Sequence, residues 1–117
     1  MRAGRFEGAC HCGAVRFSVA LDLDQPVYRC TCSLCRRKGA LMAAAAKTEL
    51  NVTQGWAQLS VYQFNTKVAK HYFCRTCGIY PFHQRRIDPQ TYGVNVGCLE
   101  GVDPQALTVI LEDGATE

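Results

Sequence analysis

The chain has 117 residues and an ordinary apolar fraction of 48%, which fits a single domain with a small core. No apolar run approaches the roughly 20 residues of a transmembrane helix, and no apolar segment typical of a secretory signal follows the N-terminus, so we expect no membrane partner and a cytoplasmic location. The formal net charge is +3, and the basic residues do not alternate with aromatic residues in one patch, which argues against a nucleic-acid partner.

Alternation of apolar and polar residues predicts short β-strands through most of the chain. Val15, Phe17 and Val19 alternate with Arg16 and Ser18, which is the period of two expected for a half-buried strand. Further short runs are rich in Val, Tyr and Phe and are bounded by turn-forming residues. These runs cover residues 27–29, 57–64, 69–73, 79–85 and 92–96.

Two segments differ from this strand pattern. Residues 33–38 are compatible with one helical turn. Residues 40–47 are ambiguous, because alanine favours a helix whereas the preceding Gly39 and the short length permit a buried strand. We therefore predict a mostly-β single small domain over residues 1–117, built of short antiparallel strands whose turns contain cysteine pairs.

Seven of the eight cysteines fall into three tight clusters, which indicates metal binding rather than disulfides in a chain expected to be cytoplasmic. Four thiolates close a tetrahedral zinc site, whereas three leave one position open for another ligand. Seven is four plus three, so the count predicts two zinc ions, one for folding and one for chemistry. The clusters are Cys10-His11-Cys12, residues 30–35 with cysteines at 30, 32 and 35, and residues 74–77 with cysteines at both ends.

The closed site is predicted from two short motifs. Cys74 and Cys77 are three residues apart and are followed by Gly78, a pattern typical of a zinc knuckle in which both sulfurs point at one ion. Cys10 and Cys12 can present both sulfurs from one face of a strand. We therefore predict a structural zinc at these four cysteines, although spacing alone also permits the 30–32 pair to join the knuckle.

Cys30, Cys32 and Cys35 are predicted to hold the open zinc. Its vacant position can accept an incoming thiol, whose pKa zinc lowers, and the resulting thiolate can attack a small aldehyde. No protein nucleophile is identified. A protein side chain in the vacant position would instead make a second structural site, and the candidates are Cys98, His11, His71 and His83.

A basic run directly follows the open site. Arg36 and Arg37, with Lys38 beside them, are candidates for binding the carboxylates of a substrate, because the planar guanidinium suits bidentate contact. The alternative is a solvated basic face. Seven thiolates and two zinc ions would together add three negative charges, which would cancel the formal charge of the chain.

The clusters in this order resemble the glutathione-dependent formaldehyde-activating (GFA) family, to which a domain of centromere protein V is related. The resemblance covers about residues 6–101, which would form the core of the domain. The resembling stretches are Gly8–Phe17, Arg29–Arg37 with Gly39, Phe73–Gly78 and Asn95–Leu99.

The resemblance implies a tent-like mostly-β fold with two zinc ions. It assigns the cysteines at 10, 12, 74 and 77 to the structural zinc and those at 30, 32 and 35 to the catalytic zinc. It also implies a carbon-sulfur lyase-type reaction, in which a glutathione-like thiol is added to formaldehyde or a similar small aldehyde. The alternative function is a non-catalytic zinc module that binds a protein or a thiol, and an exposed sheet edge would permit a homodimer.

Overall fold

The computed structural model describes residues 3–112, and within this range ten strands form two sheets. The helical segments are all short, which confirms the mostly-β prediction. The strands are β1 (Ala3–Ala9), β2 (Arg16–Asp22), β3 (Val27–Cys30), β4 (Met42–Ala46), β5 (Leu50–Gln54), β6 (Leu59–Tyr62), β7 (Lys70–Cys74), β8 (Phe82–Gln84), β9 (Thr91–Asn95) and β10 (Val109–Glu112).

One α-helix and four single 3₁₀ turns connect the strands in this part of the chain. Helix α1 immediately follows β3 and ends at a glycine in the left-handed region, Gly39. No helix among residues 3–112 has the length and hydropathy to span a bilayer. The helical segments are α1 (Ser33–Lys38) and the 3₁₀ turns Lys47–Glu49, Trp56–Gln58, Val96–Cys98 and Pro104–Ala106.

The smaller sheet has the strand order β1-β2-β5 and the larger has the order β10-β3-β4-β9-β8-β7-β6. All neighbours pair antiparallel except β10 and β3, which are parallel. The prediction of antiparallel strands did not include this pair. It arises because a long connection returns the chain to the same end of the sheet before β10. A homodimer formed through an exposed sheet edge stays a prediction.

The core lies between the two sheets. Phe17 and Val19 on β2 are almost fully buried, as their alternation predicted, and they pack in one cluster with Phe82 and Val94 of the larger sheet. The Phe17 and Phe82 rings meet edge to face, with 5.8 Å between centroids. Burial of these side chains fixes the smaller sheet against the strands that lead to the cysteine clusters.

The alanine-rich segment is a strand in the interior of the larger sheet. Ala43 and Ala45 point into the core, and the segment pairs with β9 over its whole length. Helix propensity is overridden here because the strand buries alternate alanines in the core and pairs its backbone with β9. The strand predicted to reach Val96 ends earlier, since the Asn95 side chain accepts the Gly97 N–H at 3.0 Å and starts a 3₁₀ turn.

Candidate metal centres and the adjoining cavities

The structure brings Cys10, Cys12, Cys74 and Cys77 together, although the two pairs are more than sixty residues apart in sequence. Their sulfurs all lie within 4.8 Å of one another, with 3.6 Å between Cys10 and Cys12 and 3.7 Å between Cys12 and Cys74. A tetrahedral ion with Zn–S bonds of about 2.3 Å would place its sulfurs about 3.8 Å apart. The spacing of this group therefore fits zinc.

Two similar turns shape this group. At the end of β7, Cys74 donates its N–H to Ile79 O at 2.9 Å, and Gly78 donates its N–H to Cys74 O at 2.7 Å. Gly78 has φ +78°, which a residue with a side chain rarely adopts. The turn at residues 10–15 closes in the same way, with a hydrogen bond between its first and last residues. Each turn folds the backbone back so that both sulfurs face the same point.

Cys30, Cys32 and Cys35 form the second group, and all three are buried. Cys30 ends β3, Cys32 is the N-cap of α1, and Cys35 lies in the first turn of that helix. The Cys32 sulfur accepts the Cys35 N–H at 3.2 Å, so the helix start itself fixes the position of this sulfur. The three sulfurs lie within 4.8 Å of one another.

The close approach of the buried sulfurs in the second group changes the pKa values of two of its thiols. A hydrogen bond from Cys35 lowers the pKa of Cys30 to about 6, while the same contact and burial raise the pKa of Cys35 far above its usual range. Cys30 and Cys35 therefore share a proton and do not ionise together. A divalent cation removes this conflict, because it stabilises three thiolates at once.

Within residues 3–112, no histidine, carboxylate or fourth cysteine joins the second group. Cys98 belongs to neither group. It lies in a 3₁₀ turn rather than a strand, its sulfur is 3.9 Å from Tyr80 O, and burial raises its pKa to about 12. The charges that add to this shift are those of Cys10 and Cys77, which places Cys98 on the side of the four-cysteine group.

A cluster of polar aromatic side chains lies beside the second group. The rings of His71 and His83, which are register partners on β7 and β8, stack at 5.0 Å. Tyr80 hydrogen-bonds His83 Nδ1 through its hydroxyl. Lys38 Nζ lies 3.1 Å from the centroid of the Tyr80 ring and 3.3 Å from His71 Nδ1. Burial lowers the pKa of Lys38 to about 8, so at neutral pH it remains largely an ammonium.

Two cavities of different size adjoin this cluster, and His71 lines both. The smaller has a volume of about 50 Å³, and its lining includes an ion pair of 3.1 Å between Arg85 and Glu112. The larger is an open groove of about 470 Å³ with mostly apolar walls. The small cavity is lined by Tyr28, Cys30, Cys35, His71, His83 and Arg85, and the groove by Leu34, Lys38, Val61, Tyr62, Phe73 and Tyr80.

The two predicted arginines are placed differently. Arg37 lines a second groove of about 300 Å³ that shares Leu34 and Tyr62 with the larger one, and it donates to Ser33 O at 2.8 Å. Arg36 is exposed and lines neither groove. The third residue of the basic run, Lys38, lies deepest.

The chain with these cysteine groups and cavities matches the sequence model of a known protein family over almost its whole length. The family model for the glutathione-dependent formaldehyde-activating enzyme, GFA, matches residues 5–111. The chain belongs to this family. The match spans both cysteine groups and every described strand except the first two residues of β1 and the last residue of β10.

Two relatives of this GFA chain differ in how much of their length they share with it. A protein of Halomonas elongata, provisionally named a glutathione-dependent formaldehyde-activating enzyme, is 35% identical over 79 residues, which cover 61% of this chain. The chain spans about half the length of that curated relative, since the match covers 50% of it. The crystal structure of a Rhodobacter sphaeroides protein is 50% identical with a TM-score of 0.84, and the match covers 89% of this chain and 99% of that one.

Sequence reasoning missed the buried cluster of the GFA chain. His71 and His83 were considered only as candidates for the fourth ligand of the open zinc, and Tyr80 and Tyr28 were not singled out. The available signal was weak, because each residue lies in a strand-like run where aromatic side chains are ordinary core residues. Only the register between β7 and β8 places the two imidazoles in one stack.

We expect both imidazoles to stay neutral well below the pH at which free histidine titrates. Burial lowers the pKa of His71 to about 4 and that of His83 to about 3, against about 6.5 for an unperturbed ring. The unfolded chain takes up these protons below pH 6.5 and the folded chain does not, so the free energy of unfolding should fall as the pH drops from about 6.5 towards 4.

Nuclear magnetic resonance of the histidine rings measures this directly. Neither ring should take up a second proton between pH 8 and about 5.5, a range in which a free imidazole passes through its midpoint. A midpoint near 6.5 for either ring would contradict the burial of this cluster.

Proposed function

We propose that this GFA chain is a zinc-dependent enzyme of carbon-sulfur lyase type that adds a glutathione-like thiol to formaldehyde or a similar small aldehyde. The supporting observation is the second cysteine group, which has three buried sulfurs, no fourth protein ligand among residues 3–112 and a small cavity beside it. Three protein ligands with one free position are the arrangement of catalytic zinc sites.

The two groups would have different tasks. Cys10, Cys12, Cys74 and Cys77 would hold a structural zinc, because four thiolates leave no position for a substrate. The second group would hold the zinc that lowers the pKa of a bound thiol and keeps it as a thiolate at neutral pH. We place this enzyme in the cytoplasm, where clustered thiols stay reduced and can bind metal.

The grooves beside α1 would bind the rest of the thiol substrate. Glutathione has two carboxylates and a flexible backbone, and the grooves offer cations along an otherwise apolar floor. Lys38 would meet one carboxylate at the deep end, and Arg37 would meet the other at the outer end. Leu34 and Phe64, which pack on the cysteine group, would keep water from the sulfur.

Exchange spectroscopy tests the proposal on zinc-loaded protein. With ¹³C-labelled formaldehyde and glutathione, the protein should accelerate interconversion of free formaldehyde and its hydroxymethyl adduct above the spontaneous rate. Metal analysis should find close to two zinc ions per chain. Glutathione binding without any acceleration would instead favour the alternative of a non-catalytic zinc module.

We expect Arg37→Gln to raise the KM for glutathione about three- to tenfold with little change in kcat, because it removes a charged contact distant from the sulfur. Arg36→Gln should have a smaller effect, since Arg36 lines neither groove. Arg75→Gln is the control, because Arg75 is exposed and contacts Gln58 on another turn. Steady-state rates at varied glutathione measure all three, and an equal KM for Arg37→Gln and Arg75→Gln would exclude this groove as the binding site.

A further inference from the structure

The buried polar atoms without a hydrogen-bond partner among residues 3–112 include two on uncharged side chains that line the same small cavity. They are Tyr28 Oη and His71 Nε2, on side chains that are only 6% and 3% exposed. An unpaired buried donor costs stability, so folded chains rarely keep one without a reason. Two beside one cavity, next to a candidate metal site, point to a ligand that accepts hydrogen bonds.

The partner of the other ring nitrogen decides what His71 Nε2 can do. Lys38 Nζ lies 3.3 Å from His71 Nδ1, and an ammonium group can only donate. Nδ1 therefore accepts, and the proton of the neutral ring lies on Nε2. Together with the Tyr28 hydroxyl, the cavity has two donors that no protein atom uses.

The surroundings of these donors favour a negatively polarised oxygen. The Arg85 guanidinium, which forms an ion pair with Glu112 in the cavity lining, lies 5.0 Å from the centroid of the Tyr28 ring, and Lys38 lies behind His71. Gly93 leaves room for Tyr28, because a Cβ at this position would lie 2.5 Å from both Tyr28 Oη and His83 Cε1. The sulfurs of Cys30 and Cys35 adjoin the same space.

We propose that this cavity is the binding site for the carbonyl oxygen of the aldehyde, with His71 Nε2–H and the Tyr28 hydroxyl as its hydrogen-bond donors. The inference rests on the proposed function. As the thiolate sulfur forms the new C–S bond, the π pair of the C=O bond moves to the oxygen held by these donors. The proton released by the thiol then completes the hydroxyl group, so the products are balanced without any oxidant or reductant.

The size of the cavity limits the aldehyde. About 50 Å³ has room for only a few heavy atoms beside the sulfurs, whereas a single water needs about 10–15 Å³. The cavity therefore selects formaldehyde or a two-carbon aldehyde. Longer or branched aldehydes would displace Tyr28 or His83.

A small unreactive carbonyl compound, formamide, tests the site without the reaction. In zinc-loaded protein with ¹⁵N-labelled histidine, His71 should be protonated on Nε2, and formamide should shift that resonance. Tyr28→Phe should weaken the formamide response about fivefold, which is the loss of one hydrogen bond. Tyr92→Phe, which removes a hydroxyl from the core away from the cavity, should leave the response unchanged.

Stability and rate give a second readout of the same variant. Because the Tyr28 hydroxyl has no protein partner, Tyr28→Phe should leave the thermal midpoint unchanged or raise it, and it should slow adduct exchange about tenfold or more. A hydroxyl with a purely structural role would lower the midpoint and leave the rate unaffected, which would overturn the proposal.

Three results would overturn the proposal outright: protonation of His71 on Nδ1, no response to formamide, or an equal response in Tyr28→Phe. His71→Gln should also keep both zinc ions and the absorption spectrum of the cobalt-substituted protein. A changed spectrum would make His71 a metal ligand and refute its role as a donor. Formamide binding without catalysed exchange would support the carbonyl site and refute the proposed function, whereas exchange without formamide binding would do the reverse.

Discussion

Cys77→Ser should strongly destabilise the whole domain of the GFA chain, which is the largest loss of stability we expect from any single substitution. Structural zinc contributes about 10–16 kcal/mol of apparent free energy in small zinc domains, whereas the net stability of a domain is only about 5–15 kcal/mol. Loss of one of four ligands should therefore cost at least about 4 kcal/mol and lower the thermal midpoint by roughly 15–25 °C.

The position of Cys77 in the fold explains the size of this effect. The four-cysteine group joins the turn after β1 to the turn after β7, and so ties the smaller sheet to the larger one. Around it lies a small apolar cluster of Cys10, Val15 and Cys74, which has too few side chains to hold the two turns by itself. The metal therefore supplies stability that the small apolar cluster at this site is too small to provide.

Circular dichroism during thermal unfolding, together with metal analysis, measures the outcome. Cys98→Ser is the matched control, because Cys98 belongs to neither group and the same sulfur-to-oxygen change is made. A midpoint for Cys77→Ser within a few degrees of the control would contradict a structural task for this group.

Cys32→Ser should keep the fold but lose the second zinc and all acceleration of the thiol–aldehyde exchange. The three cysteines of the second group lie within six residues, at the junction of β3 and α1, so this group joins no distant parts of the chain. Serine is also a preferred N-cap, and its hydroxyl can accept the Cys35 N–H that the Cys32 sulfur accepts now. The start of α1 should therefore survive while the thiolate is lost.

The measurements are zinc content, thermal midpoint and exchange rate on the same sample. We expect one zinc ion per chain, a midpoint within about 5 °C of the parent, and a rate equal to the spontaneous one. If Cys32→Ser and Cys77→Ser lowered the midpoint equally, the division of tasks between the two groups would be wrong. If Cys32→Ser kept the full rate, the second group would not be the reactive site.

Much of the fold was predictable because local patterns were strong. The alternation around Phe17 predicted β2, and the aromatic runs predicted β7 and β9 to within a few residues. Strands β1 and β5 were not predicted, since each has only one or two apolar residues that reach the core and both are held mainly by pairing with β2. The parallel pairing of β10 with β3 has no local signal at all.

The candidate site also has parts that the sequence predicted and parts that it did not. Cysteine spacing predicted three metal-binding clusters, because a C-x-C or C-x-x-C motif is a local geometric device. Spacing alone left open which clusters share an ion, and the family resemblance implied the grouping. The basic run was recognised in the sequence, but the residue of the run that lines the larger groove was not. Arg36 and Arg37 were chosen as substrate-binding candidates, whereas Lys38 lines that groove. One residue along a helix rotates a side chain by about 100°, and this rotation decides which of the three cations meets the cavity.

The sequence by itself determined the chemistry available to this protein: seven clustered thiols in a four-plus-three arrangement, and a family to which the chain belongs. The tertiary structure decided which groups surround those thiols. His71 and His83 meet only through the register of β7 and β8, and Tyr28 reaches them only because Gly93 leaves space on β9. A metal-binding motif consists of neighbouring residues and can be read from the sequence, whereas a cavity is lined by strands that are distant in sequence. Only the folded structure therefore places the Tyr28 hydroxyl and His71 Nε2 beside the sulfurs of the second cysteine group.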